Sequence, residues 1–192
     1  MLGLSLAAPV SAKTPASVPA IQTVAASNIK IDNFGKVNDN YYRGGQPKGH
    51  DFADLAALGV KTVIDLAEEG DAHEAAYAEQ AGMKFVRIPL TTDTGAPQAA
   101  VDQFLKLMND PANQPVYVHC MGGRHRTGEM TAVYRMTHDA WTATQAFTEM
   151  KQYKFGPDFL HSDIKDFVFS YFKQLDKAQP KVLVAAGTAA VK

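Results

Sequence analysis

The stretch PVYVHCMGGRHRTGEM, Pro115 to Met130, constrains the fold more than any other part of the chain. An apolar run ends at His119 and Cys120, two glycines follow, and helix-forming residues resume at about Thr127. A strand that passes through a tight loop into a helix needs a sheet with helical cover, so the segment predicts an α/β architecture. The same geometry makes an anion cradle, because successive N–H groups turn inward and the helix start adds partial positive charge. Gly122 and Gly123 allow backbone conformations that other residues resist. Arg126 lies at the expected start of the helix, where its planar guanidinium can hold two oxygens of a phosphate. A thiol facing such groups is favoured as the thiolate, which is the nucleophilic form. Cys120 is the only cysteine among 192 residues, so it has no partner for an intramolecular disulfide.

The rest of the chain carries α/β signals of the same kind. Asn40 to Pro47 reads as a short strand ending in a turn. Asp51 is placed to cap a helix with Phe52, Leu55 and Ala56 on one face, and Val60 to Leu66 reads as a buried strand. Asp71 and Glu74 have the spacing of a capping box. Met83 to Leu90 reads as a strand closed by Pro89. Pro97 opens a helix with Val101, Phe104, Leu105 and Met108 on one stripe, and Asp110-Pro111 ends it. Three helices are expected after the glycine-rich loop. The first runs from about Thr127 to His138, and the second opens at Thr142 with Gln145 as a capping box. The third carries Leu160, Ile164, Phe167, Val168, Tyr171 and Leu175 on one stripe. Together these predict a central, mostly parallel sheet of four to five strands flanked by helices on both faces.

A hydrophobic fraction of 46% suits one compact domain, placed at residues 28–177. A net charge of -1 gives no basic field for nucleic acid, and no apolar run is long enough to span a bilayer. A monomer with neither nucleic-acid nor membrane partners is expected. Residues 1–27 are rich in Ala, Pro, Ser and Thr, and Val10-Ser11-Ala12 fits a small-x-small cleavage pattern. No Lys or Arg precedes Lys13, so the positive start of an export signal is missing. The expectation is a leader and linker for a periplasmic or secreted protein, with a cytoplasmic location as the alternative. Residues 178–192 read as a flexible tail.

HCMGGRHRTG resembles the signature loop of the cysteine-dependent protein tyrosine phosphatases, His-Cys-x-x-Gly-x-x-Arg-Ser/Thr. His119, Cys120, Gly123, Arg126 and Thr127 match every fixed position. The likeness is strongest to the dual-specificity branch. GRHRTG is similar to the GKHRTG of atypical plant and fungal members, which act on phosphoproteins and inositol pyrophosphates. The resemblance implies a phosphotyrosine-phosphatase-like fold and hydrolysis of a phosphomonoester, without cofactor or metal. It implies that Cys120 attacks phosphorus, that Arg126 and the amides of Met121, Gly122, Gly123, Arg124 and His125 hold the oxygens, that Thr127 eases departure of sulfur, and that His119 positions the cysteine. It also implies an aspartate general acid on a loop after an earlier strand. Asp93 fits that place, with Asp102 as reserve and Asp65 as a weaker third.

Other features have plainer readings. Arg43 is expected to brace the loop. Arg124 and His125 either widen a positive rim or face solvent. His119 reads as a scaffold rather than a metal ligand, and HEAAY at His73 lacks the second histidine of a zinc helix. Gly123 and Gly128 have the spacing of a nucleotide loop, but Glu129 stands where Lys is required. The substrate is expected to be a phosphorylated protein, with an inositol phosphate as the alternative on the same site. A rhodanese-like sulfurtransferase and a non-catalytic phosphate-binding module are the rivals of other classes.

Overall fold

The computed structural model describes residues 29–178. The expected leader and residues 179–192 of the expected tail lie outside the described residues. Strands β1 (Gly35–Asn38), β2 (Tyr41–Gly44), β3 (Thr62–Ala67), β4 (Lys84–Leu90) and β5 (Val116–His119) form one sheet in the order β1-β2-β5-β3-β4. β1 pairs antiparallel with β2, and the other four strands run parallel. The mostly parallel sheet flanked by helices is therefore as the sequence pattern predicts. The strand that the pattern leaves out is β1, four residues in which only Val37 is apolar.

β5 lies at the centre of the sheet, and all four of its residues are buried. Parallel strands covered on both faces need no polar alternation, which is why the run up to His119 is so apolar. Alternate side chains face different cores. Val116 and Val118, with Ile64 and Leu66, face the larger one. It is closed by α3 (Gln98–Asn109), α4 (Arg126–His138), α5 (Ala143–Gln152) and α6 (Ser162–Ala178). Tyr117 and Val63 face a smaller core under α1 (Asp51–Ala57) and α2 (Glu74–Gln80). Phe104 of α3 is fully buried in the larger core, and truncating such a side chain to Ala costs about 3–5 kcal/mol.

Several local expectations are corrected. Pro89 lies inside its strand rather than beyond it, and β4 ends at Leu90 where the pattern ends it. β4 is an edge strand, and an edge tolerates a residue without an N–H. Asp51 is the first residue of α1 rather than its cap, and its Oδ2 accepts from the Lys48 amide at 2.8 Å. Asp71 and Glu74 form no capping box. Asp71 accepts from the His73 amide, whereas Glu74 is buried and accepts from Gln46 Nε2. Leu160 is 60% exposed in a short 3-10 turn, so the buried stripe of α6 begins at Ile164. The capping box on α5 is present, with Gln145 N donating to Thr142 Oγ1 and Thr142 N to Gln145 Oε1.

Candidate active site

β2, β3, β4 and β5 run parallel, so the segments that follow them emerge at one end of the sheet. These segments carry Gly45 and Gln46, Glu69, Asp93, and Cys120. Ligands of open α/β sheets bind at that end.

The loop after β5 is held from outside by its carbonyl groups. The Gln46 amide donates to Met121 O at 3.2 Å. Asn33 Nδ2 donates to Gly123 O at 3.0 Å and reaches Gly122 O at 3.4 Å. Arg43, fully buried, donates from Nη2 to Gly123 O at 2.8 Å, so it braces the loop as expected. In a planar trans peptide the next N–H points opposite to the carbonyl. Carbonyls tied outward at 121, 122 and 123 therefore turn the amides of Gly122, Gly123 and Arg124 inward. Those amides donate to no acceptor among the described residues, which leaves them for an oxyanion. Of the two loop glycines, only Gly123 adopts a positive φ, at 65°. A Cβ there would stand 2.4 Å from the Gly44 carbonyl carbon, so the loop is also pressed against the end of β2.

Cys120 is 3% exposed at the foot of this loop. Arg126 opens α4, and burial works against its charge, outweighed by hydrogen bonds to Glu69 and by the charge of Cys120. Its Nη1 and Nη2 each donate to one Glu69 oxygen at 2.6 Å, and Nη1 also reaches Leu90 O at 3.1 Å. The Arg126 hydrogen bonds hold the Glu69 carboxyl down at about 2, so the pair stays ionised across the working pH range. Glu69 thus takes the terminal fork of the guanidinium. The Nε–H is buried and has no partner among the described residues, so an oxyanion is offered the side of the guanidinium rather than its end. The sequence reading missed Glu69. Its only signal is an acidic pair just past the apolar run of β3.

His119 is fully buried between two carboxylates on the opposite face from the larger core. Its Nε2 lies 3.1 Å from Glu74 Oε2 and its Nδ1 lies 3.7 Å from Asp65 Oδ1. Neither ring nitrogen makes a well-aligned hydrogen bond, so these are close contacts rather than hydrogen bonds. The donor atoms of Asp65, Glu74 and His119 fall within 4.8 Å of one another, a set that could hold a cation. Arg87 Nε, at 2.7 Å from Asp65 Oδ2, and Gln46, on Glu74, already engage two of its oxygens. A second trio, His50, Asp51 and Asp54, sits at the start of α1. Asp65 lies inside β3 rather than after it and is fully buried, so it is corrected from general-acid candidate to partner of His119. The Thr127 hydroxyl is buried and unpaired among the described residues.

Asp93 is exposed on the loop between β4 and α3, and its carboxyl is within 3.5 Å of Thr92 Oγ1. Both ends of that loop touch α4, through Leu90 O on Arg126 and through Ala96 N, which donates to Glu129 Oε1 at 2.7 Å. Asp102 accepts from Gln98 on the exposed flank of α3, so the reserve candidate stays on a helix surface. Arg124 points away from the cradle to Asp32, at 3.5 Å. His125 neither faces open solvent nor enters the cradle. It is half-buried, meets Phe155 O at 3.0 Å, and has its pKa lowered by that burial, with the Phe155 carbonyl opposing. Met121, 49% exposed, borders a cleft of about 810 Å³ whose wall also includes Lys30, Asp32, Lys48, His50 and Asp71.

A thiol at the end of a central parallel strand, with an arginine one loop later at the foot of the next helix, is the arrangement of the cysteine-dependent phosphatases. Comparison with known proteins agrees. Residues 13–165 match the family described as DSP-PTPase phosphatase fused to NAD+ kinase, and the chain belongs to that family. Inositol diphosphatase DSP2 of Oryza sativa is 31% identical over 126 residues, covering 63% of this chain and 61% of that protein. Dual specificity protein phosphatase TpbA of Pseudomonas aeruginosa is 28% identical over 134 residues, 70% of this chain and 59% of that protein. The chain thus spans about six-tenths of the length of these relatives. A crystal structure of TpbA superposes with a TM-score of 0.64 at 28% identity, covering 76% of this chain and 88% of the other.

Proposed function

We propose that the protein hydrolyses phosphomonoesters through a phosphocysteine intermediate, with phosphorylated proteins as substrate. The observation that carries this is the set of outward-tied carbonyls, which turns three amides inward beside Cys120, together with an Arg126 whose Nε–H is buried and left unpaired by Glu69. The Cys120 thiolate attacks phosphorus, and the leaving oxygen departs with a proton from Asp93. The same carboxylate then takes a proton from water as water attacks the phosphocysteine. Phosphate leaves, and sulfur regains its negative charge. The Thr127 hydroxyl donates to the departing sulfur, and His119 holds the cysteine backbone. Amides and guanidinium supply the charge stabilisation, worth about 10²–10³ in rate per donor, so no metal is required.

The names of the relatives support two substrate classes, and TpbA has been crystallised with phosphotyrosine. The cleft beside the cradle favours the protein substrate. It mixes Lys30, Lys48 and His50 with Asp32, Asp51 and Asp71, which suits a peptide better than a densely anionic inositol ring. We also keep export from the cytoplasm as part of this proposal, tested by processing near Ala12 in cells. The deciding experiment is Cys120→Ser. Turnover of p-nitrophenyl phosphate should vanish while vanadate still binds, and EDTA should leave the parent protein active. Metal-dependent turnover, or sulfur transfer from thiosulfate in place of hydrolysis, would overturn the reading. A panel of phosphotyrosyl peptide, phosphoseryl peptide and inositol phosphate ranks the substrates.

A further inference from the structure

We infer that Glu129 is a positioning residue for the general acid: together with Arg126 it pins both ends of the Asp93 loop to the first turn of α4. This rests on the proposed role of Asp93. Arg126 and Glu129 are three residues apart, hence on one face of the helix. Arg126 Nη1 holds Leu90 O, where the loop leaves β4, and Glu129 Oε1 holds Ala96 N, just before α3 begins. Between those ties, Thr91, Asp93 and Thr94 are exposed. The polar contacts of the tip are internal, Thr91 with Thr94 and Thr92 with Asp93. Gly95 leans on α6, where a Cβ would stand 2.5 Å from Phe167 Cβ. That blocks one direction of movement, whereas the Ala96 hydrogen bond fixes position and orientation.

The chain tolerates an expensive group to make this tie. Glu129 is fully buried, and its Oε2 has no partner among the described residues. A buried carboxyl without a cation is destabilising relative to an apolar residue of the same size. Burial pushes its acid up to about 8, with the Ala96 hydrogen bond opposing, so it carries a proton through the neutral range. A protonated carboxyl still accepts at its carbonyl oxygen. What an apolar residue would forfeit is the hold on Ala96.

The test compares two monoesters on the intact protein. Phenyl phosphate needs a proton on its leaving oxygen, and dinitrophenyl phosphate does not. Glu129→Leu should lower kcat/KM, which reports the steps up to departure of the leaving oxygen, about 10-fold or more on phenyl phosphate, as a misplaced catalytic group does, and leave it within about 2-fold on dinitrophenyl phosphate. Its melting temperature should hold or rise. Glu129→Gln keeps an acceptor oxygen and should restore both substrates. Glu129→Asp shortens the reach with polarity kept, and should reproduce the leucine pattern should the latter variant fold poorly. Equal losses in kcat/KM on both esters, or no loss on either, overturn the inference. Asp93→Asn run alongside separates the premise. Selectivity against phenyl phosphate in Asp93→Asn but not in the Glu129 variants sinks the positioning role alone. Absence of that selectivity in Asp93→Asn removes the acid that Glu129 is said to place, and sinks both.

Discussion

The cradle from Cys120 to Arg126 and the loop from Thr91 to Ala96 leave the same end of the sheet, yet they are held in opposite ways. The cradle is fastened along its length. Asn33, Arg43 and Gln46 take its carbonyls, Glu69 takes its arginine, and Gly44 presses against Gly123. The acid loop is fastened only where it begins and ends, and its tip is exposed. The difference follows the chemistry each must do. Oxyanion donors act by being fixed before charge develops, since reorientation at that moment would cost what they are meant to supply. A proton donor must approach a leaving group and then a water in the same place, and a loop with free residues between two anchors allows that.

The sharpest way to break this contrast is to spoil the fixed loop. Gly123→Ala adds a Cβ at φ 65° against the Gly44 carbonyl, a neighbour that is backbone and cannot swing away. The cradle amides must then shift, and loss of even one oxyanion donor costs about 10²–10³. Turnover of p-nitrophenyl phosphate should fall about 10³-fold, with weaker vanadate binding in calorimetry. A loss under about 10-fold would mean that the loop adapts and is not preset. The flexible loop should respond differently. Asp93→Asn should lower kcat on a phosphotyrosyl peptide about 10²-fold and leave KM and vanadate affinity nearly unchanged, because an acid acts in the transition state and not in binding. A matching rise in KM would instead make Asp93 a binding residue.

The same contrast explains what the sequence could disclose. The cradle is one contiguous segment, so the strand, the two glycines, the thiol and the arginine are legible from order and spacing. The partners that hold it are not. Arg126 meets Glu69 across 57 positions, Asn33 meets Gly123 across 90, and Glu129 meets Ala96 across 33. Nothing local distinguishes Glu69 from its neighbour Glu68, or gives Asn33 a role until the sheet brings it beside the loop. Glu74 misleads for the same reason. Its spacing from Asp71 suits a cap, but burial beside His119 and Gln46 offers stronger partners than an exposed helix end. Glu129 counts in the sequence only as a residue that is not lysine. β1 escapes because a four-residue edge strand needs no hydrophobic run.

The acid-loop anchor also leaves a mark on stability, one that accumulates gradually with pH. In the folded protein Glu129 holds its proton until about pH 8, whereas an unfolded chain releases it near the ordinary glutamate value. Below that ordinary value both states are protonated and the group has no effect. Between there and about pH 8 the unfolded state binds fewer protons, so stability falls as pH rises, by up to about 1.4 kcal/mol or tenfold in the folding equilibrium per pH unit. Above about pH 8 both states are ionised and the loss levels off. Glu129→Gln does not titrate, so the difference in urea midpoint between it and the parent isolates this group from the histidines. That difference should widen in favour of Glu129→Gln from about pH 5 to pH 8 and then hold constant. A difference that does not change with pH would mean that water or a cation reaches the Glu129 carboxyl, and that the loop is anchored through a wet, exchangeable contact rather than a dry one.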